Sequence, residues 1–234
     1  MSTQNKSTNK TEQTAIIAFI VAVFAVFAAI LIIPSTREGF KTLSSTHPYL
    51  MGFVKFGFLA TAGELIAGRL ASGAFKKPPY ITARFIIWGL IGIWITYMMK
   101  IFNLGAAAMM AKQLLPSSGN EFTNKLLLAF FTSATMNLSF GPTFMALHKC
   151  SDTYLALRAK RTAKNEKIGV KKVVGSVDWS SFVTFTLFKT VPIFWIPAHT
   201  VTFLLPGEYQ VMLAALLSVA LGIILNLKKK PTAE

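Results

Sequence analysis

Long runs of apolar residues constrain this chain more than any other feature of its sequence. The first run, 14–33, continues for twenty residues without a charge, which is about enough to cross a bilayer as a helix. Lipid offers the backbone no hydrogen-bond partners, and an α-helix satisfies its own. The sequence therefore predicts an all-α, polytopic membrane protein with about six transmembrane helices, at 14–33, 49–72, 83–103, 125–148, 181–205 and 207–227.

Prolines inside two of the predicted spans indicate kinked helices. Gly141-Pro142 interrupts the fourth span, and Pro192 and Pro197 interrupt the fifth. A proline removes one helical hydrogen bond and bends the helix before it. The fifth span is therefore predicted to be a broken helix of the kind that exposes backbone groups to ions or substrates in transporters. A kink that only helps the helices to fit together is the alternative.

The charges of the chain are few and mostly basic. Only 14% of its residues are charged, against about 25% in soluble domains. A net charge of +15 would indicate nucleic acid in a soluble protein, but basic loops also set membrane orientation, and we predict no nucleic-acid partner. In the six-span topology, sixteen Lys and Arg fall on one side and three on the other, with Lys125 on the boundary. Both termini are therefore predicted to lie on the positive, cytoplasm- or matrix-like side.

The most basic segment, 149–178, is predicted to be a loop at the membrane surface. It carries eight Lys and Arg against three acidic residues, and such segments attract anionic headgroups. A solvated orientation signal is the plainer interpretation. The candidate headgroup contacts are Arg158, Lys160, Arg161 and Lys164.

The composition of the chain changes at its two ends. Residues 1–13 are polar and are predicted to form a disordered tail, residues 34–48 a loop, and residues 228–234 a basic tail. The run 14–33 exceeds the about 7–15 apolar residues of a signal peptide, and Pro34 follows it where a cleavage site would be rich in small residues. We therefore predict that this run is retained as an additional N-terminal span.

Glu64 is the acidic residue that lies deepest in a predicted span. Lys55 and Arg69, nearer the ends of the same span, have stems long enough to reach the headgroups, whereas Glu64 needs a partner or a wet cavity. Small residues at helical spacing around it would let another helix approach closely; they are Ala60, Ala67, Gly68 and Ala71. Glu64 is predicted to face the protein interior, as a structural carboxyl or as a transport or gating group. Lys189 is its candidate partner, the alternative being that Lys189 snorkels to the basic face.

Two further residues complete the set of candidate pore or intramembrane polar groups, which holds Glu64, Asn137, Lys189 and His199. Asn137 lies near the centre of the fourth span. His199 follows Pro197 in the fifth and could titrate near neutral pH, although a single histidine is more often a hydrogen-bonded structural residue.

The sequence lacks the motifs of common enzymes. It has no Gly-x-Ser-x-Gly, no His-Glu-x-x-His and no glycine-rich phosphate loop. Its three histidines are too scattered for a zinc motif, and His148 with Asp152 at a membrane edge leaves a membrane enzyme as a minor alternative. We predict no enzymatic activity, no cofactor and no metal.

The C-terminal part of the chain carries a family signature. The stretch from Trp195 has a Trp and a Pro, then a Phe, a Pro and a Tyr before the last span; these are Trp195, Pro197, Phe203, Pro206 and Tyr209. This pattern resembles that of the Mpv-seventeen-like family of small peroxisomal and mitochondrial inner-membrane proteins. Three polar positions of the pattern, usually Gln, Asn and Arg, hold His199, Thr202 and Gln210.

Upstream, Gly63-Glu64 looks like the Gly-Asp pair of that family, whereas an Asp-Gln pair expected after Lys125 is absent. The resemblance covers about 47–227 and leaves 14–33 outside it. It implies a helical membrane protein of the peroxisome or mitochondrion, if eukaryotic, and membership of a family in which some proteins behave as membrane channels.

Taken with the intramembrane polar residues, the resemblance favours a channel- or carrier-like protein that passes small solutes or ions across an inner, plasma or organelle membrane. A non-conducting scaffold or assembly subunit of a larger membrane complex is the alternative. Polar residues converging on one wet cavity would favour the first, and dry contacts around Glu64 and Asn137 would favour the second. The predicted partners are the lipid bilayer and its anionic headgroups, with a homo-oligomer or a larger complex left open.

Overall fold

The computed structural model describes residues 10–161 and 167–227, and every regular element within them is helical. The elements in chain order are α1 (Lys10–Ile32), α2 (Pro34–Thr46), α3 (Pro48–Ser72), α4 (Ile81–Ala111), α5 (Glu121–Lys160), α6 (Val170–Gly175), α7 (Trp179–Ser181), a π-helix (Phe182–Trp195), α8 (Ile196–Leu204) and α9 (Gly207–Leu227). The predicted all-α fold class is confirmed.

Five helical segments among the described residues are long and apolar enough to cross a membrane. They are Lys10–Ile32, Pro48–Ser72, Ile81–Ala111, Trp179–Leu204 and Gly207–Leu225. This is the architecture of a polytopic helical membrane protein.

The predicted fourth span lies inside α5, which is not one of these five segments. Serine, threonine and asparagine lower the hydropathy of this helix, yet Thr132 and Ser133 are fully buried and Asn137 is 3% exposed. Length and hydropathy thus support five spans, one fewer than predicted. A sixth requires that α5 also crosses, with these polar side chains turned toward protein.

Segments predicted to be irregular are helical in part. Residues 34–46 of the predicted loop form α2, because Pro34 occupies the first turn, where the missing N–H of a proline is not needed. Residues 10–13 of the predicted tail belong to α1, which begins at Lys10. Residues 1–9, and the predicted basic tail from Lys228 on, lie outside the described residues.

The predicted basic loop is also partly wrong. Its first residues continue α5 as far as Lys160, and α6 forms within it. Leu155 of α5 and Val173 of α6 are both buried, and α6 packs against α5. Apolar residues between the lysines therefore let this segment fold back on itself.

The chain divides into two compact units. The first holds the described residues up to Thr96 together with those from Val211 onward, and the second holds Tyr97–Gln210.

In the first unit, α3 and the start of α4 pack antiparallel through glycines. Rising residue numbers on α3 meet falling numbers on α4, Gly52 lying against Gly92 and Gly57 against Phe85. Helix α9 packs against α3 at Gly63, where an added Cβ would lie 2.6 Å from Val219 Cγ2. Of the small residues predicted for such contact, Ala60 is buried and Ala67 lies 3.6 Å from a Cβ placed at Gly222, whereas Gly68 faces open space. Close approach of this kind is how helices gain van der Waals contact within a membrane.

In the second unit, α5 packs against α8 and against the π-helix. The most buried side chains of this unit include three hydroxyl residues, which are Thr132, Ser133 and Thr202. The two threonines donate to backbone carbonyls one turn back in their own helices, Leu128 O at 2.7 Å and Ala198 O at 2.9 Å. These buried hydroxyls are thus hydrogen-bonded, as a dry interior requires.

Candidate functional site

Glu64 lies in a carboxylate cluster with Arg84 and Trp88, inside the first unit. Arg84 Nη1 donates to Glu64 Oε1, and Trp88 Nε1 donates to Oε2 at 3.2 Å. The side chain of Glu64 is 23% exposed and that of Arg84 12%. Both carboxylate oxygens are therefore occupied by donors from α4.

The antiparallel pairing of α3 with α4 brings this cluster together. Helix α3 ends at Gly73, whose φ of +79° terminates it, and the chain returns through Pro78-Pro79. Arg84, in the first turn of α4, also donates from Nε to the Pro79 carbonyl at 3.2 Å. Glu64 precedes the end of α3 by eight residues, about 12 Å along the helix.

Glu64 has partners other than the candidate that the sequence offered. Lys189 was predicted either to pair with Glu64 or to snorkel to the basic face, and the Glu64 carboxylate is bonded to Arg84 and Trp88. Lys189 is exposed on the π-helix, which agrees with the alternative that it snorkels. Arg84 lies at the start of the predicted third span, 83–103, but was not predicted to be a partner of Glu64.

Lys55 also departs from its predicted role. It was expected to reach the headgroups, yet it is 3% exposed. Its ammonium donates to Ser44 Oγ at 2.9 Å and lies 4.4 Å from the centroid of the Phe40 ring. Phe40 and Ser44 are one turn apart on α2. The segment that had been predicted as a loop is thus the element that covers this cation.

The second unit holds an Asn–His cluster, formed by Ser133, Asn137, Trp195 and His199. Asn137 Nδ2 donates to the Ser133 carbonyl at 2.8 Å and lies 3.1 Å from His199 Nδ1, while Asn137 Oδ1 lies 3.2 Å from the same nitrogen. Either neutral tautomer of the imidazole can therefore bond to the amide.

Two further contacts hold the Asn–His cluster in place. Ser133 Oγ donates to the Ile196 carbonyl at 2.7 Å, and the Trp195 ring stacks on His199 with centroids 5.1 Å apart. The predicted polar candidates Asn137 and His199 are thus in direct contact. Their contacts come from three helical elements of the same unit, namely α5, the π-helix and α8.

The predicted break in the fifth span is a change of helical winding. Phe182–Trp195 forms a π-helix that contains Pro192, and α8 continues from it with Pro197 in its first turn. A proline has no N–H to donate, so the wider winding accommodates Pro192 without ending the helix. The predicted kink at Pro142 lies within the continuous α5 and stays a prediction.

The signature residues surround the junction of α8 with α9. Phe203 is 6% exposed in α8, and the Pro206 carbonyl accepts from the N–H of Tyr209 at 3.0 Å in the first turn of α9. Trp195 and Pro197 mark the junction of the π-helix with α8. In the described residues this signature therefore lies at the two ends of α8 and at the start of α9.

The candidate headgroup residues lie at the end of α5. Arg158 and Lys160 are exposed and Arg161 is half-buried, whereas Lys164 lies outside the described residues. His148 and Asp152, one turn apart on α5, approach to 3.5 Å. Among the described residues, no three His, Cys, Asp or Glu side chains are grouped closely enough to hold a metal ion.

The chain was compared with protein-family models, with curated proteins and with solved structures, and none of the three comparisons found a match. The resemblance to the Mpv-seventeen-like family therefore stays a prediction.

Proposed function

We propose that this membrane protein is a non-conducting helical scaffold, an assembly subunit without catalytic activity. One observation carries the proposal: three of the four intramembrane polar groups expected to line a pathway are hydrogen-bonded to other protein groups. Glu64 is bonded to Arg84 and Trp88, and Asn137 to His199. Polar groups within spans that find partners on neighbouring helices join those helices together.

The helical end of α5 gives such a scaffold a surface for docking. At about 1.5 Å per residue the 40 residues of α5 extend about 60 Å, roughly twice the about 30 Å thickness of a hydrocarbon core. The excess falls in a basic arm, which we define as residues 149–160 together with α6. Exposed cations of this arm include Arg158, Lys160 and Lys171, and anionic headgroups are their expected partners.

The orientation proposed here follows the charge distribution. If α5 crosses the membrane, the basic arm and both termini lie on one side with sixteen Lys and Arg, against three on the other. If α5 does not cross, the basic arm falls on the side opposite to Lys76 and Lys77, against the usual bias. The proposal therefore includes α5 as a sixth span, with the termini on the cytoplasm- or matrix-like side.

A channel- or carrier-like function is the second candidate, and two features favour it. The π-helix adjoins the Asn–His cluster, and π-helical segments are frequent at functional sites. Glu64 keeps 23% of its side chain exposed, and charged residues within spans often mark transport pathways. The resemblance to a family with channel members points the same way.

Conductance in planar bilayers separates the two functions. The scaffold proposal predicts that the purified protein gives no current above protein-free bilayers, for the native chain and for Glu64→Gln alike. A known channel reconstituted in parallel controls for insertion, and Glu38→Gln serves as a matched change in an exposed carboxyl. Reproducible unitary currents whose ion selectivity changes in Glu64→Gln, but not in Glu38→Gln, would replace the scaffold with the channel.

A further inference from the structure

The first unit contains an apolar slot of about 310 Å³ between α1, α2 and α3. Its lining residues are Phe19, Ala22, Val23, Val26, Phe27 and Ile30 of α1, Phe40 of α2, and Met51, Val54 and Phe58 of α3. All of them are hydrocarbon or thioether side chains. A cavity of this chemistry does not hold water, and its volume lies in the range of small-molecule sites.

The shape of the slot matches one acyl chain. Its α1 residues recur every three or four positions from Phe19 to Ile30, so the slot follows one face of α1 for about 16 Å. One leaflet of a bilayer is about 15 Å thick, half of the about 30 Å hydrocarbon core. The rings of Phe19 and Phe58, 6.4 Å apart, close the end farther from α2. Ala22 and Val26 are exposed, so the slot opens to the outside of the unit.

A cation with one buried nitrogen that has no hydrogen-bond partner lies at the α2 end. Arg37 precedes Phe40 by three residues and therefore shares its face of α2, and the buried Arg37 Nε has no hydrogen-bond partner. An unpartnered buried donor destabilises the fold, and a guanidinium is well suited to bind a phosphate group. Lys55, in contrast, is already bonded to Ser44.

We propose that the slot binds a phospholipid, with one acyl chain along α1 and the headgroup phosphate on Arg37. The slot shares no lining residue with either polar cluster. It also explains the position of α2, which places Phe40 against the hydrocarbon and Arg37 beside it at the end of α1 that meets the headgroups.

Native mass spectrometry of protein extracted from vesicles of one part phosphatidylglycerol to three parts phosphatidylcholine tests the site. The native chain is expected to retain one lipid. Ala22→Trp fills the slot and should remove it, whereas Ala25→Trp, an exposed residue of α1 outside the slot, should not. Arg37→Gln should reduce retention several-fold by removing the charged phosphate contact. If Ala22→Trp and Arg37→Gln both retain the lipid as the native chain does, the proposal is overturned.

Photolabelling of the native chain removes any dependence on variant folding. A phospholipid with a diazirine in its acyl chain should form adducts on Val23, Phe27 or Met51 in preference to Val21 and Ala25. Equal labelling of slot and non-slot faces of α1 would identify ordinary bilayer contact and overturn the site. Retention of a fatty alcohol as strongly as of the phospholipid would overturn the phosphate contact, and protection of the slot only in dimers would assign it to a second copy of the chain.

Discussion

Replacing Glu64 with leucine is expected to lower the free energy of unfolding by about 3 kcal/mol, the lower end of the range for breaking a buried ion pair. The change leaves Arg84 without its carboxylate and removes the acceptor of the Trp88 indole. The partial exposure of Glu64 lets solvent compensate some of the loss, so the lower end applies. The change in the free energy of unfolding is measured in detergent by titrating denaturant and recording intrinsic fluorescence.

A double-mutant cycle shows whether the loss belongs to the pair. The double variant Glu64→Leu/Arg84→Leu should lose about 1–2 kcal/mol less stability than the sum of the two single variants. The reason is that the free-energy effects of residues that share an interaction are not additive. The control is Glu38→Leu, which breaks the exposed pair with Lys41. The hydrogen bond from Lys41 lowers the pKa of Glu38, so this pair is charged at pH 7, yet no measurable change is expected. Strict additivity at Glu64 and Arg84 would contradict the assigned partnership.

Gly52→Ala is expected to destabilise the first unit by about 2 kcal/mol, within the range for overpacking. The new Cβ would lie 2.7 Å from the Gly92 carbonyl oxygen and would also meet Thr96 Oγ1. A backbone carbonyl cannot rotate away as a side chain can, so α3 and α4 must separate.

The matched control for this substitution is Gly68→Ala on the same helix. Nothing lies within 4 Å of a Cβ at Gly68, and alanine favours a helix over glycine by about 0.5–1 kcal/mol. Gly68→Ala should therefore leave stability unchanged or raise it. Equal effects of the two substitutions on the unfolding midpoint would show that α3 and α4 do not pack through Gly52.

The sequence supports prediction of the helical class and of most apolar spans, because length and hydropathy report directly on transfer into lipid. Residues 34–46 were assigned to a loop since they are polar and begin with proline. They form a helix because Pro34 suits a first turn and because Phe40 and Ser44 meet Lys55. The contact of Lys55 with Ser44 joins residues 11 positions apart, and no local sequence pattern predicts it.

Three members of the two polar clusters were predictable from the sequence, but the partners of Glu64 were not. Glu64, Asn137 and His199 stand out as polar residues in apolar runs, and the structure bonds two of them to each other. The choice between Arg84 and Lys189 for Glu64 depends on the register of α3 against α4. Gly52, Gly57 and Gly92 set that register, and a single sequence does not show which glycines meet.

Reactivity of a cysteine placed at Ser133 tests most directly whether the polar clusters are dry contacts between helices. Ser133→Cys is a near-isosteric change at a fully buried position of the Asn–His cluster, made in a Cys150→Ser background, with the exposed Ser117→Cys as reference. A small cationic thiol reagent applied from both sides of proteoliposomes should modify Ser133→Cys about a hundredfold more slowly than Ser117→Cys, since the reaction waits for local opening. Modification of Ser133→Cys at a rate close to that of Ser117→Cys would show water at the Asn–His cluster and contradict the scaffold.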